Sequence, residues 1–179
     1  MGAEATRILI EGRPGSGKTT TVRRLVDLLG AAGMVVGGFT TEEIRERGRR
    51  VGFSVEAIGG LRATLAHIEY TGPARVGKYG VDVGTFEATA LPALDRTDVD
   101  AVVIDEIGKM ELASRKFREV TRRCFEYDVP VVATVHAFRH EFTDALKRRS
   151  DTELIRLTTD NRDRLPDELA ARLIPPIDG

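Results

Sequence analysis

The chain has 179 residues, 41% of them hydrophobic and 31% charged, so its length and composition suit one compact domain over residues 1–179. Its 27 basic and 28 acidic residues leave a net charge of −1, which argues against the positive field of a dedicated nucleic-acid-binding or membrane-surface protein. The single cysteine, Cys124, excludes an intrachain disulfide, and no group of Cys and His residues has the spacing of a structural zinc site.

Targeting signals are not evident in the sequence. Residues 1–6 lack a basic segment followed by an apolar run, and no window approaches the roughly 20 consecutive apolar residues of a membrane span. We therefore expect a cytoplasmic protein without membrane association, and we expect it to be a monomer.

Short apolar runs rich in Val and Ile alternate with longer amphipathic stretches along the chain. Such runs are typical of buried parallel strands. They lie at residues 8–10, 34–36, 99–104, 131–135 and 154–157.

The amphipathic stretches carry apolar residues at the spacing of a helix that packs on a sheet. Three sets have this spacing: Val22, Leu25, Val26 and Leu29; Phe117, Val120, Thr121 and Cys124; and Leu165, Leu169 and Leu173. The alternation of strand and helix predicts an α/β fold with a doubly wound, mostly parallel sheet, whose ligand site lies at the carboxyl ends of the strands. It also predicts that Cys124 is a core residue.

The middle of the chain departs from this alternation. Val51, Phe53, Val55 and Ala57 alternate with period two after a charged turn at residues 46–50, which predicts a β-hairpin insertion. Glycines then punctuate residues 59–80, where we expect a loop-rich stretch, followed by a short helix around residues 86–94.

A phosphate-binding motif follows the first predicted strand and precedes the first predicted helix. It reads Gly12, Arg13, Pro14, Gly15, Ser16, Gly17, Lys18 and Thr19, which matches G-x-x-x-x-G-K-[ST]. Its glycines let backbone N–H groups face phosphate oxygens, Lys18 neutralises them, and the Thr19 hydroxyl suits a bound Mg²⁺. The motif and both flanking elements indicate a P-loop NTPase-type fold, the alternative being a chance Gly-rich turn.

Two adjacent carboxylates end the apolar strand at residues 102–104, as in a Walker B motif. Asp105 is suited to hold Mg²⁺, as the corresponding aspartate does in P-loop NTPases. Glu106 is suited to orient and deprotonate an attacking water. The alternative for Glu106 is a solvated charge at the strand end.

Further polar residues end the neighbouring predicted strands. Thr134 and His136 are placed to sense a γ-phosphate or to position water, and His136 is otherwise an ordinary hydrogen-bonded residue. Lys109 either contacts phosphate or pairs with Glu111.

The sequence resembles the cancer-related nucleoside-triphosphatase family, small P-loop proteins that are also known from thermophilic prokaryotes. The segments that carry the resemblance are GRPGSGKTT at residues 12–20, GGFTTEEIRERGRRVGF at 37–53, VGKYGVD at 76–82, FEATALPAL at 86–94, VVIDEIGKMEL at 102–112 and TDNR at 159–162.

The resemblance implies Mg²⁺-dependent hydrolysis of ATP, GTP and other nucleoside triphosphates, such as CTP and UTP, with loose base selectivity. It implies that Glu106 and Lys18 are catalytic, that Thr19 and Asp105 hold the metal, and that Arg162 stacks on the base or touches phosphate. The nucleotide-binding residues that it implies are Gly12, Arg13, Pro14, Gly15, Ser16, Gly17, Lys18, Thr19, Thr20, Ile104, Asp105, Glu106, Ile107, Gly108 and Arg162.

The mechanism that we expect is in-line attack of water on the γ-phosphate, and no arginine finger is identifiable in the sequence. Two alternatives remain open from the residues alone. One is a nucleotide or nucleoside kinase, and the other is an NTP-dependent switch module in which slow hydrolysis resets a conformation.

Overall fold

The computed structural model describes residues 5–176. Residues 1–4 and 177–179 of the predicted domain lie outside the described part, and so does most of the segment 1–6 that was considered for a targeting signal. The strands are β1 (Arg7–Glu11), β2 (Val36–Glu46), β3 (Arg49–Ala57), β4 (Arg62–His67), β5 (Arg75–Val76), β6 (Tyr79–Val81), β7 (Ala101–Ile107), β8 (Val131–Val135) and β9 (Thr152–Arg156). The helices are α1 (Lys18–Ala31), α2 (Val83–Leu94), α3 (Arg115–Cys124), α4 (Glu141–Lys147) and α5 (Leu165–Leu173), with a 3₁₀ turn at Glu111–Ala113.

Within residues 5–176 the strands form one sheet in the order β5-β6-β4-β3-β2-β7-β8-β1-β9. The five strands from β2 to β9 in that order are parallel, which confirms the predicted doubly wound α/β fold. Strand β8 separates β1 from β7, and Val135 pairs with Glu11 on one side and with Ile107 on the other. The carboxyl ends of β1 and β7 therefore lie at the same edge of the sheet.

Helices cover both faces of the sheet because each central strand is apolar on both sides. Ile8 and Ile10 pack with α1 and α5 on one face, whereas Leu9 packs with α2, α3 and α4 on the other. Cys124 is fully buried in the second core, as its helical spacing predicts, and burial raises the pKa of its thiol to about 12. Burying these apolar surfaces is the main force that stabilises the sheet and its helices.

The predicted hairpin is confirmed as β2 and β3, which turn at Arg47 and Gly48. The antiparallel part is larger than the hairpin, however, because β4, β6 and β5 continue it where the sequence predicts loops. The prediction of loops in this stretch is wrong because the alternation of one strand is interrupted. Phe53 pairs with Ala66 and Ser54 with Thr64, so Leu65 is an extra residue that breaks the apolar alternation of β4.

The strand boundaries also differ slightly from the apolar runs. Strand β2 begins at Val36 rather than residue 34, and β7 continues past the apolar run through Asp105 to Ile107. None of the helices within residues 5–176 is long and apolar enough to cross a membrane.

Gly38 on β2 lies close against the backbone of the parallel strand β7. It has φ +104°, and a Cβ atom there would overlap the backbone carbonyl of Val103 on β7. We expect Gly38→Ala to lower the free energy of unfolding by about 3–5 kcal/mol, because both the backbone conformation and the strand spacing must change.

A matched control is Gly30→Ala, which lies in α1 where a Cβ atom would meet open space. This substitution should raise the free energy of unfolding by about 0.5–1 kcal/mol, since alanine restricts the unfolded chain. Denaturant titration measures both changes, and equal effects of the two substitutions would contradict the proposed close approach.

Candidate active site

The loop at residues 12–19 joins β1 to α1 and brings backbone N–H groups to the amino terminus of that helix. Gly15 has φ +76° and Gly17 has φ +98°, conformations that glycine adopts without strain. A Cβ atom on Gly12 would lie 2.5 Å from the Ser16 Oγ, so the tight curl also requires glycine there. No side chain caps α1, which leaves its first N–H groups available to an anion.

Lys18 lies under this loop and is 8% exposed. Its Nζ donates hydrogen bonds to the carbonyl oxygens of Gly12, at 2.7 Å, and Arg13, at 3.3 Å. The same Nζ lies 3.8 Å from Oε2 of Glu106 at the end of β7. The ammonium group thus links the phosphate-binding loop to the acidic strand end.

Asp105 is almost fully buried, at 1% exposure. Its Oδ1 accepts a 2.7 Å hydrogen bond from the Thr134 hydroxyl on β8, while its Oδ2 is buried without a hydrogen-bond partner among the residues described. Burial raises the pKa of the Asp105 carboxyl group, and the hydroxyls of Thr134 and Thr19, the backbone N–H of Thr41 and the charge of Lys18 oppose that rise. An unpaired buried carboxylate oxygen beside the Thr19 hydroxyl is a donor set that fits Mg²⁺.

Glu106 follows Asp105 through a cis peptide bond, and its side chain remains 32% exposed. Burial raises the pKa of the Glu106 carboxyl group, the Lys18 ammonium lowers it, and the neighbouring Asp105 charge raises it again. A partly accessible carboxylate whose pKa is raised is a better proton acceptor than a fully solvated one. Glu106 can therefore serve as a general base toward water that enters from the open side.

Glu111 lies at the start of the 3₁₀ turn and is 4% exposed. Its Oε2 accepts a 3.1 Å hydrogen bond from the Gly108 N–H. It does not pair with Lys109, and Lys109 instead places its ammonium 4.5 Å from the centre of the Phe138 ring. The pairing of Lys109 with Glu111 is therefore wrong, because Glu111 is buried while Lys109 is exposed and lies against Phe138.

His136 is buried at the end of β8, and its ring stacks on Phe138. Its Nδ1 donates to the Phe138 carbonyl oxygen, 3.1 Å away, and its Nε2 has no partner within residues 5–176. Burial, helped by the nearby charge of Lys147, lowers the pKa of His136 to about 4. The imidazole is consequently neutral at physiological pH.

Arg162 lies in the loop between β9 and α5, beside the phosphate-binding loop. Its Cδ would be 3.6 Å from a Cβ atom on Gly17. Asn161 fixes this loop, because its Oδ1 accepts from the Thr158 N–H at 2.8 Å and its Nδ2 donates to the Arg156 carbonyl at 2.9 Å. The guanidinium of Arg162 is exposed, and its Nε lies 3.9 Å from the Asp163 carboxylate.

Comparison with known proteins identifies the family. The sequence matches the family described as NTPase over residues 7–170. The chain belongs to the NTPase family. Nucleoside-triphosphatase THEP1 of Thermotoga sp. strain RQ2 is 43% identical over 169 residues, which cover 93% of this chain and 95% of that protein.

Two solved structures are similar to this NTPase. The crystal structure of THEP1 from the hyperthermophile Aquifex aeolicus has a TM-score of 0.82 and 35% identity, covering 95% of this chain and 100% of the other. The solution structure of a human cancer-related nucleoside triphosphatase has a TM-score of 0.82 and 33% identity, covering 94% and 97% of the two chains. The resemblance inferred from sequence motifs is confirmed by these matches.

The residues that the sequence predicts for this NTPase occupy two environments. The loop residues Arg13, Pro14, Gly15 and Thr20 are exposed, and Lys18, Asp105 and Glu106 gather at the strand edge. Ile104 and Ile107 are fully buried in the core, so only their backbone can face a nucleotide. Sequence reasoning did not identify Thr134 as the partner of Asp105 or Glu111 as the partner of Gly108.

The buried, neutral His136 gives this NTPase a specific pH dependence. Its folded-state pKa of about 4 lies below the ordinary value of 6.5, so between these values the unfolded chain binds a proton that the folded chain does not. The His136 contribution to stability is therefore present above pH 6.5 and is lost as the pH falls toward 4.

We expect the free energy of unfolding to be larger at pH 7 than at pH 5, and the difference to shrink in His136→Asn, whose amide can still donate to the Phe138 carbonyl. Denaturant titrations of both proteins at the two pH values measure this difference, and groups common to both proteins cancel in the comparison. An unchanged difference in the variant would show that His136 does not titrate in this way.

Proposed function

We propose that this protein hydrolyses nucleoside triphosphates to nucleoside diphosphates and phosphate in a Mg²⁺-dependent reaction with loose base selectivity. The observation that carries the proposal is the meeting of Lys18, Asp105 and Glu106 at one sheet edge, with Lys18 Nζ 3.8 Å from Glu106. The names of its relatives, which are nucleoside-triphosphatases, support the same activity.

Each group has a distinct role in this proposal. The N–H groups of the loop at residues 12–19 bind the phosphate oxygens, and Lys18 exchanges its carbonyl contacts for those oxygens. Glu106 orients a water for in-line attack and accepts its proton as the bond to the γ-phosphorus forms. The diphosphate leaves with the electron pair of the broken P–O bond.

Mg²⁺ would be held by the Thr19 hydroxyl and the Asp105 carboxylate. When bound, Mg²⁺ would supply positive charge that offsets the negative charge developing on the phosphate oxygens. The buried Oδ2 of Asp105, which lacks a protein partner among the residues described, supports this assignment. Thr134 supports it as well, because its hydrogen bond fixes the orientation of the same carboxylate.

Loose base selectivity is supported by the loop that carries Arg162. Both polar atoms of the Asn161 side chain are bonded to backbone groups, so this amide is held in the loop and is less free to read a base edge. The planar guanidinium of Arg162 can stack on any base, since every base offers a π face.

The activity is tested by measuring phosphate release from ATP, GTP, CTP and UTP, each with and without nucleoside and nucleotide acceptors. We expect release without an acceptor and rates within about tenfold of one another, a discrimination of about 1.4 kcal/mol. A phosphorylated product formed only with an acceptor would identify a kinase instead. A thousandfold preference for one base would refute loose selectivity.

The metal requirement is tested by chelation. Excess EDTA should abolish phosphate release, and added Mg²⁺ should restore it, because Thr19 and Asp105 are placed to share one cation with the phosphates. Undiminished release in excess chelator would contradict the metal assignment.

The two adjacent acids are tested by isosteric substitutions. Glu106→Gln removes the proton acceptor but keeps its shape, so phosphate release should fall by roughly 10² to 10⁴ while Mg²⁺ and triphosphate still bind. Asp105→Asn should weaken Mg²⁺-dependent triphosphate binding as well as the rate, since its cation is present in the ground state.

Calorimetry and single-turnover hydrolysis distinguish these two outcomes. Phosphate release at the wild-type rate in Glu106→Gln would show that Glu106 is not the general base. Equal binding losses in both variants would mean that the roles of the two acids are not separate.

A further inference from the structure

Glu111 is a buried acid that the proposed mechanism does not use. Its side chain is 4% exposed, and within residues 5–176 it forms no ion pair. Burying an ionised carboxylate without a cation is strongly unfavourable, so such a group is usually neutral or has a specific partner. The hydrogen bond that Glu111 accepts comes from the Gly108 N–H, in the segment that follows Glu106.

The carboxyl groups of Glu106 and Glu111 both lie against Gly108, in the space that a side chain at this position would occupy. A Cβ atom on Gly108 would lie 2.6 Å from Oε1 of Glu106 and 2.9 Å from Oε2 of Glu111. The other carboxyl oxygen of Glu106, Oε2, lies 3.8 Å from the Lys18 ammonium.

Electrostatics favours one charge at this pair of acids rather than two. Burial raises the pKa of the Glu111 carboxyl group well above its usual range, and the Glu106 carboxylate raises it further. Lys18 lies against Glu106 and favours the ionised form of that residue. Of the two acids, Glu111 is therefore the one whose ionised form is more strongly disfavoured by its surroundings.

We infer that Glu111 is a positioning residue that holds Glu106 beside Lys18, acting through the Gly108 backbone and by filling the space behind the Glu106 carboxyl group. The inference rests on the proposed function, in which Glu106 activates water. A glutamate side chain that is one-third exposed has several rotamers, and a general base acts only when it is held in one geometry. Glu111 restricts that freedom through its hydrogen bond to the Gly108 N–H and by occupying the space beside Gly108.

The first test compares Glu111→Ala with Glu111→Gln by steady-state phosphate release from ATP in the full-length protein. Glu111→Ala should lower kcat by roughly 10- to 100-fold, because Glu106 is no longer held in one geometry. KM should change by less than about twofold, because the contacts to the nucleotide are kept. Glutamine keeps the acceptor for the Gly108 N–H and is neutral, so kcat should stay within about threefold of the wild type. Equal losses in both variants, or a loss confined to KM, would overturn the inference.

Glu87→Ala is the matched control. Glu87 is also partly buried and accepts a 2.7 Å hydrogen bond from Ser114, next to the same 3₁₀ turn, but it does not border Gly108. The kcat of Glu87→Ala should equal that of the wild type. A loss as large as that of Glu111→Ala would mean that general loosening of this region, rather than positioning, lowers the rate.

A double-mutant cycle tests whether Glu111 acts through Glu106. Single-turnover rates with enzyme in excess should fall in Glu111→Ala but change by less than about twofold when the same substitution is added to Glu106→Gln. Fully additive losses of the single-turnover rate would overturn the positioning role of Glu111 but not the proposed function of Glu106. A wild-type rate for Glu106→Gln would overturn the proposed function of Glu106, and the positioning role with it.

Gly108→Ala provides the test if Glu111→Ala does not fold. The added methyl group meets the ends of two flexible side chains, so the fold should persist while Glu106 is displaced and kcat falls about tenfold. Thermal unfolding measures the first expectation and phosphate release the second. A folded Gly108→Ala with wild-type kcat would contradict the inference.

Discussion

The arrangement at the sheet edge depends on one buried cation, the Lys18 ammonium. Asp105 and Glu106 are adjacent acids that lose hydration in the fold, and Lys18 is the charge that lowers the pKa of both against the effect of burial. Two carbonyl groups of the phosphate-binding loop hold the same ammonium. The cation therefore connects β1, through its loop, with β7, two strands that do not pair with each other.

Strand β8 lies between β1 and β7, and it also contributes a side chain to the site. Its Thr134 hydroxyl donates a hydrogen bond to Oδ1 of Asp105 across the neighbouring strands, and Oδ2 of the same carboxylate has no hydrogen-bond partner among the residues described. His136 directly follows the same strand, and burial keeps its imidazole neutral. A neutral ring near the site adds no further charge to a region that already contains Lys18 and three carboxyl groups.

Much of the fold and the centre of the site could be predicted from sequence because these features are local. The phosphate-binding motif is a continuous segment, and the Walker B carboxylates follow directly on an apolar strand. Partners that depend on the pairing of distant segments were not predictable. Thr134 meets Asp105 only because β8 lies beside β7, and β4 was missed because the extra residue Leu65 hides its alternation. Lys109 and Glu111 are close in sequence, but the 3₁₀ turn directs one outward and the other inward.

The burial of Cys124 also has a practical consequence for spectroscopy. Its thiol lies in the core beneath α2, in contact with the Leu94 carbonyl, and its pKa of about 12 keeps it protonated near neutral pH. Maleimide and disulfide reagents react with the exposed thiolate form, so this native cysteine should remain unlabelled in the folded protein. A cysteine introduced on the Arg162 loop or on the β2–β3 hairpin would then carry a single fluorophore or spin label without prior removal of the native thiol.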